Sequence, residues 1–333
     1  MKILLGSHHF FPSTGGIETA SNILAREFVE LGHEVCVITQ TAGDSDDFPL
    51  EIVRRPSGAE LLRHVRWCDV FFQNNISLRT LWPLLFVRRP LVVAHQTWLD
   101  IDGRASWQSR AKRFVLRFAR SVAISKAVAE TLPVESIIVG NPYDDEIFKN
   151  LGSFTRTRDL IFIGRLVSDK GVDILIKALR ILRDSSIQPQ LTITGDGPER
   201  QNLERQTTEL GLQSAIDFTG NLNSRQLAEQ LNQHRILVVP SRWPEPFGIV
   251  ALEAIACGCI VIGSEQGGLA EAIGPCGKTF PNGDAPGLAK ILGQLLTDSV
   301  QFDSLLAAAE AHLALFKRRN VARRYLDVME TMQ

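Results

Sequence analysis

Short apolar runs recur along this chain, with amphipathic stretches between most of them. KILLGS (2–7), EVCVITQ (34–40), DVFFQN (69–74), PLVVAHQ (90–96), SVAIS (121–125) and SIIVGN (136–141) form a first series. Apolar strands that alternate with helices predict a parallel sheet covered on both faces. A polar stretch with Pro and Gly, NPYDDEIFKNLGSFTRTR, then interrupts the pattern. The series restarts with DLIFIGRL (159–166), QLTITGDG (190–197), AIDFTGN (215–221), RILVVPS (235–241) and CIVIGS (259–264), again with helices between. The pattern predicts an α/β chain of two Rossmann-like domains, residues 1–150 and 151–318. A final helical segment, 319–333, can pack on the second domain or cross back to the first, and periodicity does not decide between the two.

Composition agrees with this reading. The chain has 333 residues, enough for two domains, and its 44% hydrophobic and 22% charged residues are ordinary for a globular protein. A net charge of −1 points to no particular partner and gives no reason to expect nucleic acid. Five scattered cysteines fit a reducing compartment better than a disulfide framework. Cys257-Gly-Cys259 has the wrong spacing for a zinc pair, and we expect no metal site. The apolar run at the N-terminus is too short for a signal segment. Glu253 interrupts the longest apolar stretch, so no membrane span is expected. The expected location is the cytoplasm.

Open parallel sheets bind ligands beyond the carboxyl ends of their strands. Two such sheets facing one another make a cleft the default site, and the chemically suggestive residues do fall at strand ends. After the first strand, Gly15 and Gly16 precede a helix beginning near Ile17, where backbone N–H groups can approach an anion. A flexible loop tip would look the same. Glu18 in the first turn can simply complement the helix dipole. In IGRLVSDKG, Arg165 and Lys170 lie between a strand and the next helix. A planar fork and a point charge there suit a diphosphate, although solvated loop cations are the plainer reading. In SRWPEPFGIVALEA, Pro244 and Pro246 restrict the backbone about Glu245. Gly248, Ile249 and Val250 open a helix whose first N–H groups lack intrahelical acceptors. Glu253 follows eight residues after Glu245, ~80° round the helix at ~3.6 residues per turn. One ligand could touch the helix start and both carboxylates. An ordinary helix charge explains Glu253 poorly, because Ile249, Val250, Leu252, Ile255 and Ala256 surround it. His95 closes an apolar strand, where a structural role is the commoner one.

Taken together, these stretches resemble the retaining GT-B glycosyltransferases of the GT4 family. PEPFGIVALEA matches the family's E-x7-E element through Glu245 and Glu253. GRLVSDKG matches its G-R-x-x-x-x-K-G element through Arg165 and Lys170, and PSTGGIE matches its Gly-Gly loop. TGDGPER, PSRWPEPFG and SEQGGLAEAI also sit where the family has comparable stretches. The resemblance runs from residue 3 to about residue 330. It implies that Arg165 and Lys170 neutralise a donor diphosphate, that Glu245 orients the donor sugar and that Glu253 holds the ribose. It implies backbone contacts from Gly248, Ile249, Val250 and Gly16, and a His95 contact near the reacting carbon. Gly15, Gly164, Gly195 and Leu222 complete the implied donor side. Same-face attack would need no protein nucleophile and no metal. The last helix would cross back to the first domain. The donor implied is a sugar nucleotide, a UDP-sugar ahead of GDP-mannose, with no other cofactor. Residues 222–226 (LNSRQ) occupy the stretch that often reads the base, and nothing in them selects one. NPYD (141–144) replaces the commoner Asn-Gly-Val-Asp.

Two D-x-D strings, Asp44–Asp46 and Asp100–Asp102, are not expected to bind metal on this scaffold, though the second follows His95 closely enough for an acceptor role. The acceptor implied is a glycan, a lipid-linked glycan or a small molecule. Residues 54–126 hold 14 Lys/Arg and four Asp/Glu, densest in 104–120. On a helical wheel Trp107, Ala111, Phe114 and Phe118 form one stripe. The simpler reading is a core-facing stripe with a solvated basic face. The alternative is peripheral contact with an anionic membrane, on the inner face of the cytoplasmic membrane. Rival functions are a GT-B sugar-nucleotide epimerase, a phosphorylase-like enzyme, for which no cofactor-binding lysine context stands out, and a non-catalytic sugar-nucleotide-binding subunit.

Overall fold

The structure, a computed structural model, describes residues 1–13, 15–43, 48–99, 107–152 and 156–332. Both D-x-D strings, and residues 104–106 of the basic segment, lie outside the described residues. The chain divides into two compact units, residues 1–143 with 316–333, and residues 144–315. These limits fall a few residues before the boundaries expected at 150/151 and 318/319.

The first unit is built on strands β1 (Lys2–Ser7), β2 (Glu34–Thr39), β3 (Glu51–Arg54), β4 (Val70–Asn74), β5 (Leu91–His95), β6 (Arg120–Ala123) and β7 (Ser136–Ile138). They pair in parallel in the order β3-β2-β1-β4-β5-β6-β7. Its helices are α1 (Gly16–Glu30), α2 (Gly58–Trp67), α3 (Leu78–Leu81), α4 (Trp107–Leu116) and α5 (Lys126–Ala129); a 3-10 turn, Trp82–Leu85, continues α3. Side chains alternate across a strand, so one sheet feeds two cores. Ile3, Leu5 and Phe72 enter one with Phe28 of α1. Leu4 and Phe71 enter the other with Val65 of α2 and Leu116 of α4. Helix α2 starts on a capping box: Glu60 N–H donates to Ser57 Oγ (3.3 Å) and Ser57 N–H to Glu60 Oε2 (2.9 Å).

The second unit has β8 (Arg158–Ile163), β9 (Leu191–Thr194), β10 (Ile216–Gly220), β11 (His234–Val239), β12 (Ile260–Ser264) and β13 (Gly277–Phe280), in parallel order β10-β9-β8-β11-β12-β13. Its helices are α6 (Val172–Asp184), α7 (Arg200–Glu209), α8 (Ser224–Gln233), α9 (Ile249–Ala256), α10 (Leu269–Ile273), α11 (Ala285–Thr297), α12 (Ser299–Leu306) and α13 (Ala309–Ala314). One core, including Leu160, Ile193, Ile236 and Leu292, holds α6 and α11 against this sheet. The last helix, α14 (Arg318–Glu330), belongs to the first unit, where Tyr325 packs on Phe72 and Arg318 pairs with buried Glu27 at 2.8 Å.

Two features depart from the sequence-based expectation. Strands β3 and β13 are edge strands that the apolar pattern does not announce. The aromatic stripe of α4 does not face the core: Trp107 and Phe114 are exposed, and Leu116 is the buried residue. Nine residues at ~100° each put Leu116 ~180° from Trp107. The side that reaches the sheet is therefore opposite the stripe. Among the described residues no helix is long and apolar enough to cross a membrane. All five cysteines are free and buried.

Candidate functional site

Strand order reverses about β8 in the second unit, whose neighbours are β9 and β11. The loops that leave β8 and β11 at their carboxyl ends therefore diverge from adjacent strands, a geometry that opens a crevice. The crevice floor has almost no side chains. Gly164 N–H donates to the Thr194 carbonyl (3.0 Å), and Gly195 N–H to the Gly220 carbonyl (2.9 Å), stitching the ends of β8, β9 and β10. Gly195 has φ +133°, and a Cβ there would run into the Gly164 carbonyl. Only glycine fits. Leu222, half-buried, follows two residues beyond β10.

The loop after β8 carries Arg165, exposed and without a side-chain partner among the described residues. It then turns through Ser168–Lys170 into α6. The loop after β11 is fastened to it. Arg242 and Trp243 N–H both donate to the Asp169 carbonyl, at 2.8 and 3.3 Å. The Arg242 guanidinium forks onto Asp173 (2.7 and 2.6 Å) and reaches the Ser168 carbonyl (2.9 Å). Burial would raise the Asp173 carboxyl, but the hydrogen bonds from Arg242 and Lys177 outweigh it and hold the group below its usual range.

This fastening brings together two predicted site residues that lie 75 positions apart. Lys170 Nζ sits 2.6 Å from Glu245 Oε1, and Ser241 Oγ donates to the same oxygen at 2.6 Å. Ser241 is itself fully buried, and its carbonyl accepts from Ser264 Oγ (2.7 Å) and Asn282 Nδ2 (3.1 Å). The Glu245 backbone is pinned too: its carbonyl accepts from Gly268 N–H at 2.7 Å. Glu245 Oε2 has no partner among the described residues. An ammonium has three N–H donors, so Lys170 keeps capacity for a second acceptor.

Beyond Glu245 the chain enters α9 through Gly248, at φ +103°, where a side chain would press on Leu269. The N–H groups of Gly248, Ile249 and Val250 stand at this helix start. Glu253 lies about one turn into α9, at ~3.6 residues per turn, and makes no side-chain hydrogen bond among the described residues. Burial, and secondarily the Asp144 carboxylate, push its carboxyl up to about 7.

In the first unit, α1 begins at Gly16 with Gly15 before it, and the Glu18 carboxylate lies over Gly15. His95 ends β5 but is only 2% exposed, with Nε2 3.3 Å from Ser121 Oγ. Burial lowers its pKa to about 4, so the ring is neutral. Nearby strand ends carry buried amides that the sequence reading passed over. Among the described residues, Gln96 has no partner for either side-chain polar atom, and Asn74 Oδ1 and Asn141 Oδ1 are also unsatisfied. Such atoms are uncommon in folded proteins. The sequence signal was only Asn or Gln after an apolar run. Ser241, Arg242 and Asn282 were equally unforeseen.

Among the described residues, one trio has metal-ligand types close together: Cys36, Glu51 and His64, with ligand atoms within 4.8 Å of one another. It sits towards the amino ends of β2 and β3, away from the strand ends above. Arg63 Nη2 lies 3.1 Å from His64 Nε2, and burial, with the Glu51 carboxylate next, pushes the Cys36 thiol up to about 12. The Arg63 guanidinium against the His64 ring disfavours a cation there by like-charge repulsion.

Comparison with known proteins agrees with this geometry. Residues 144–311 match the family model for glycosyl transferases group 1. A GDP-mannose-dependent alpha-(1-6)-phosphatidylinositol dimannoside mannosyltransferase of Mycobacterium tuberculosis is 34% identical, with 88% of each chain covered. A glycogen synthase of the same species is 35% identical over 48% of this chain, and the match spans only 39% of that relative's length. A solved structure of an Anabaena protein in complex with UDP covers 99% of this chain and 100% of its own, with TM-score 0.84 and 20% identity. That likeness is one of fold, two Rossmann-like domains of the GT-B class.

Proposed function

This chain belongs to the glycosyl transferases group 1 family, and we propose that it is a retaining glycosyltransferase that moves a hexose from a nucleoside diphosphate to an acceptor hydroxyl. The observation that carries this reading is the junction of Lys170, Glu245 and Ser241, with Arg165 exposed on the loop that also carries Lys170 and without a side-chain partner among the described residues. Two cations, and a carboxylate with one oxygen still open, stand at the strand ends where a diphosphate and its sugar would lie. In the transfer, the bond from the anomeric carbon to the phosphate oxygen breaks. The acceptor oxygen bonds that carbon from the same face, and its proton passes to the departing phosphate. Negative charge grows on the phosphate, where Arg165, Lys170 and the N–H groups of Gly248, Ile249 and Val250 can stabilise it. Glu245 Oε2 accepts from a sugar hydroxyl, and Glu253 accepts from the ribose. The roles of Gly15, Gly16 and His95 are proposed from the family alone.

A near-full-length relative named for GDP-mannose puts that donor beside the UDP-sugars as the first to test. For the acceptor, the phosphatidylinositol dimannoside and the glycogen in those relatives' names support a glycan or a lipid-linked glycan. Donor choice is read by a thermal-shift panel of sugar nucleotides, since a bound donor raises apparent stability. Function is read by donor hydrolysis or transfer. Lys170→Ala should lower kcat/KM by about 10²–10³, the effect of losing one donor aimed at developing charge. Equal rates in wild type and variant would remove the diphosphate assignment. Because these cations serve the diphosphate, excess EDTA should leave the rate unchanged. A rate abolished by EDTA and restored by a divalent ion would show that a metal is needed.

A further inference from the structure

We infer, resting on the transferase reading, that Arg156 is a positioning residue for the donor site: it acts through α9, whose far end it pins. In the second unit α9 spans Ile249–Ala256, ~12 Å at ~1.5 Å per residue. Its amino end carries the N–H groups proposed for the diphosphate, and Glu253 rides on the same helix. Any slide or tilt of α9 therefore moves both contacts. Its side chains resist such a slide poorly. IVALEAIA holds one polar residue, Glu253, and that carboxyl makes no side-chain hydrogen bond among the described residues. The other side chains are aliphatic, and apolar burial is non-directional.

The directional contacts come from outside the helix. Arg156 lies in the polar stretch that separates the two strand series. Its Nη2 donates to the Cys257 carbonyl, directly after α9. Its Nη1 donates to the His234 carbonyl (2.6 Å), at the start of β11, and to the Leu231 carbonyl (3.2 Å) in α8. One planar fork thus fixes the end of α9 against α8 and against β11, the strand whose outgoing loop carries Glu245. Leu231, His234 and Cys257 are fully buried, so water does not reach these carbonyls to replace the guanidinium. The backbone makes room for it: Gly258 turns at φ +84°, where a Cβ would run into the Arg156 guanidinium. A cation at this end also complements the helix dipole, whose positive pole is the proposed phosphate end.

The test compares two variants of the full chain. Asn232 clamps the same polar stretch to α8: it accepts from Leu151 N–H (2.9 Å) and donates to the Lys149 carbonyl (3.0 Å), with no bond to α9 among the described residues. Arg156→Ala and Asn232→Ala should both lower the melting temperature. Only Arg156→Ala should weaken the donor. The probe is whichever sugar nucleotide shifts wild-type melting furthest, with UDP-glucose and GDP-mannose tried first. Its Kd by calorimetry should rise about tenfold in Arg156→Ala, and kcat/KM for its hydrolysis should fall at least as far, because the contacts on α9 are misplaced. Arg156→Lys keeps a charge and a stem without the fork. It should change donor affinity in the same direction, and it carries the comparison if the alanine variant does not fold. Wild-type donor affinity in a folded Arg156 variant would overturn the inference. So would an equal loss in Asn232→Ala, since general loosening would then be the cause. A wild type that binds no sugar nucleotide would remove the donor reading itself, and this inference with it.

Discussion

Glu253 holds a carboxyl that is close to half-protonated at neutral pH, raised to about 7 by burial and then by Asp144. If Glu253 takes the proposed ribose contact, hydroxyls that donate to it favour the ionised form, and a bound donor should lower this pKa. The sign follows. Donor affinity is fully present above about pH 7 and falls as pH drops below 7, at most about tenfold per unit. Calorimetric titration of the donor across that range should show this slope, and Glu253→Gln should be weaker and flat. A slope that persists in Glu253→Gln would assign the proton elsewhere. Glu253 was legible in the sequence because a carboxylate amid Ile249, Val250, Leu252 and Ile255 is costly without a purpose. The Lys170–Glu245 pair was not. Each residue was visible as a candidate, but their meeting depends on which strands lie side by side. His95 was visible as a strand end, while its burial depends on neighbours that periodicity does not name.

The elements that make the crevice are the loops after β8 and β11, and Gly171 is where they touch. It sits at φ +65°, and a Cβ would run into the Pro240 carbonyl. Gly171→Ala therefore meets left-handed strain of roughly 1–2 kcal/mol together with that clash. At ~2–4 °C per kcal/mol the melting temperature should fall by about 5 °C or more. The donor-induced thermal shift should shrink with it, because Lys170 is the adjacent residue. A variant with wild-type melting and donor response would mean the loop contact contributes little. The apolar runs were legible, and all eleven of them are strands. Two of the four edge strands were not: β3 (EIVR) and β13 (GKTF) are short and mostly half-exposed, so no apolar run marks them, whereas the edge strands β7 and β10 were legible. In α4 the stripe itself was legible. Which side it would turn to the sheet was not: Leu116 reaches the core, with Val115 and Ala119 packed against it.

At the scale of the molecule, the chain leaves the first unit at 143/144 and returns at 315/316, and α14 then completes the first unit's core. The restart of the strand series made two domains legible, whereas periodicity left the destination of α14 open. Tyr325 carries this return. Its ring is fully buried 5.2 Å from Phe72, and its hydroxyl has no hydrogen-bond partner among the described residues. These two facts predict opposite outcomes for two substitutions. Tyr325→Ala empties a large core site and should cost about 3–5 kcal/mol. Tyr325→Phe removes only an unsatisfied polar group and should be neutral or stabilising. The residues proposed to hold the donor, Arg165, Lys170, Glu245 and Glu253, lie in the other unit, which has its own core. Scanning calorimetry should therefore resolve two transitions. Tyr325→Ala should lower one by roughly 10 °C, and a bound sugar nucleotide should raise the other by about the same increment in wild type and variant. If substitution and donor instead shift a single common transition, the two units unfold as one cooperative body, and α14 stabilises the donor site as much as the sheet it packs on.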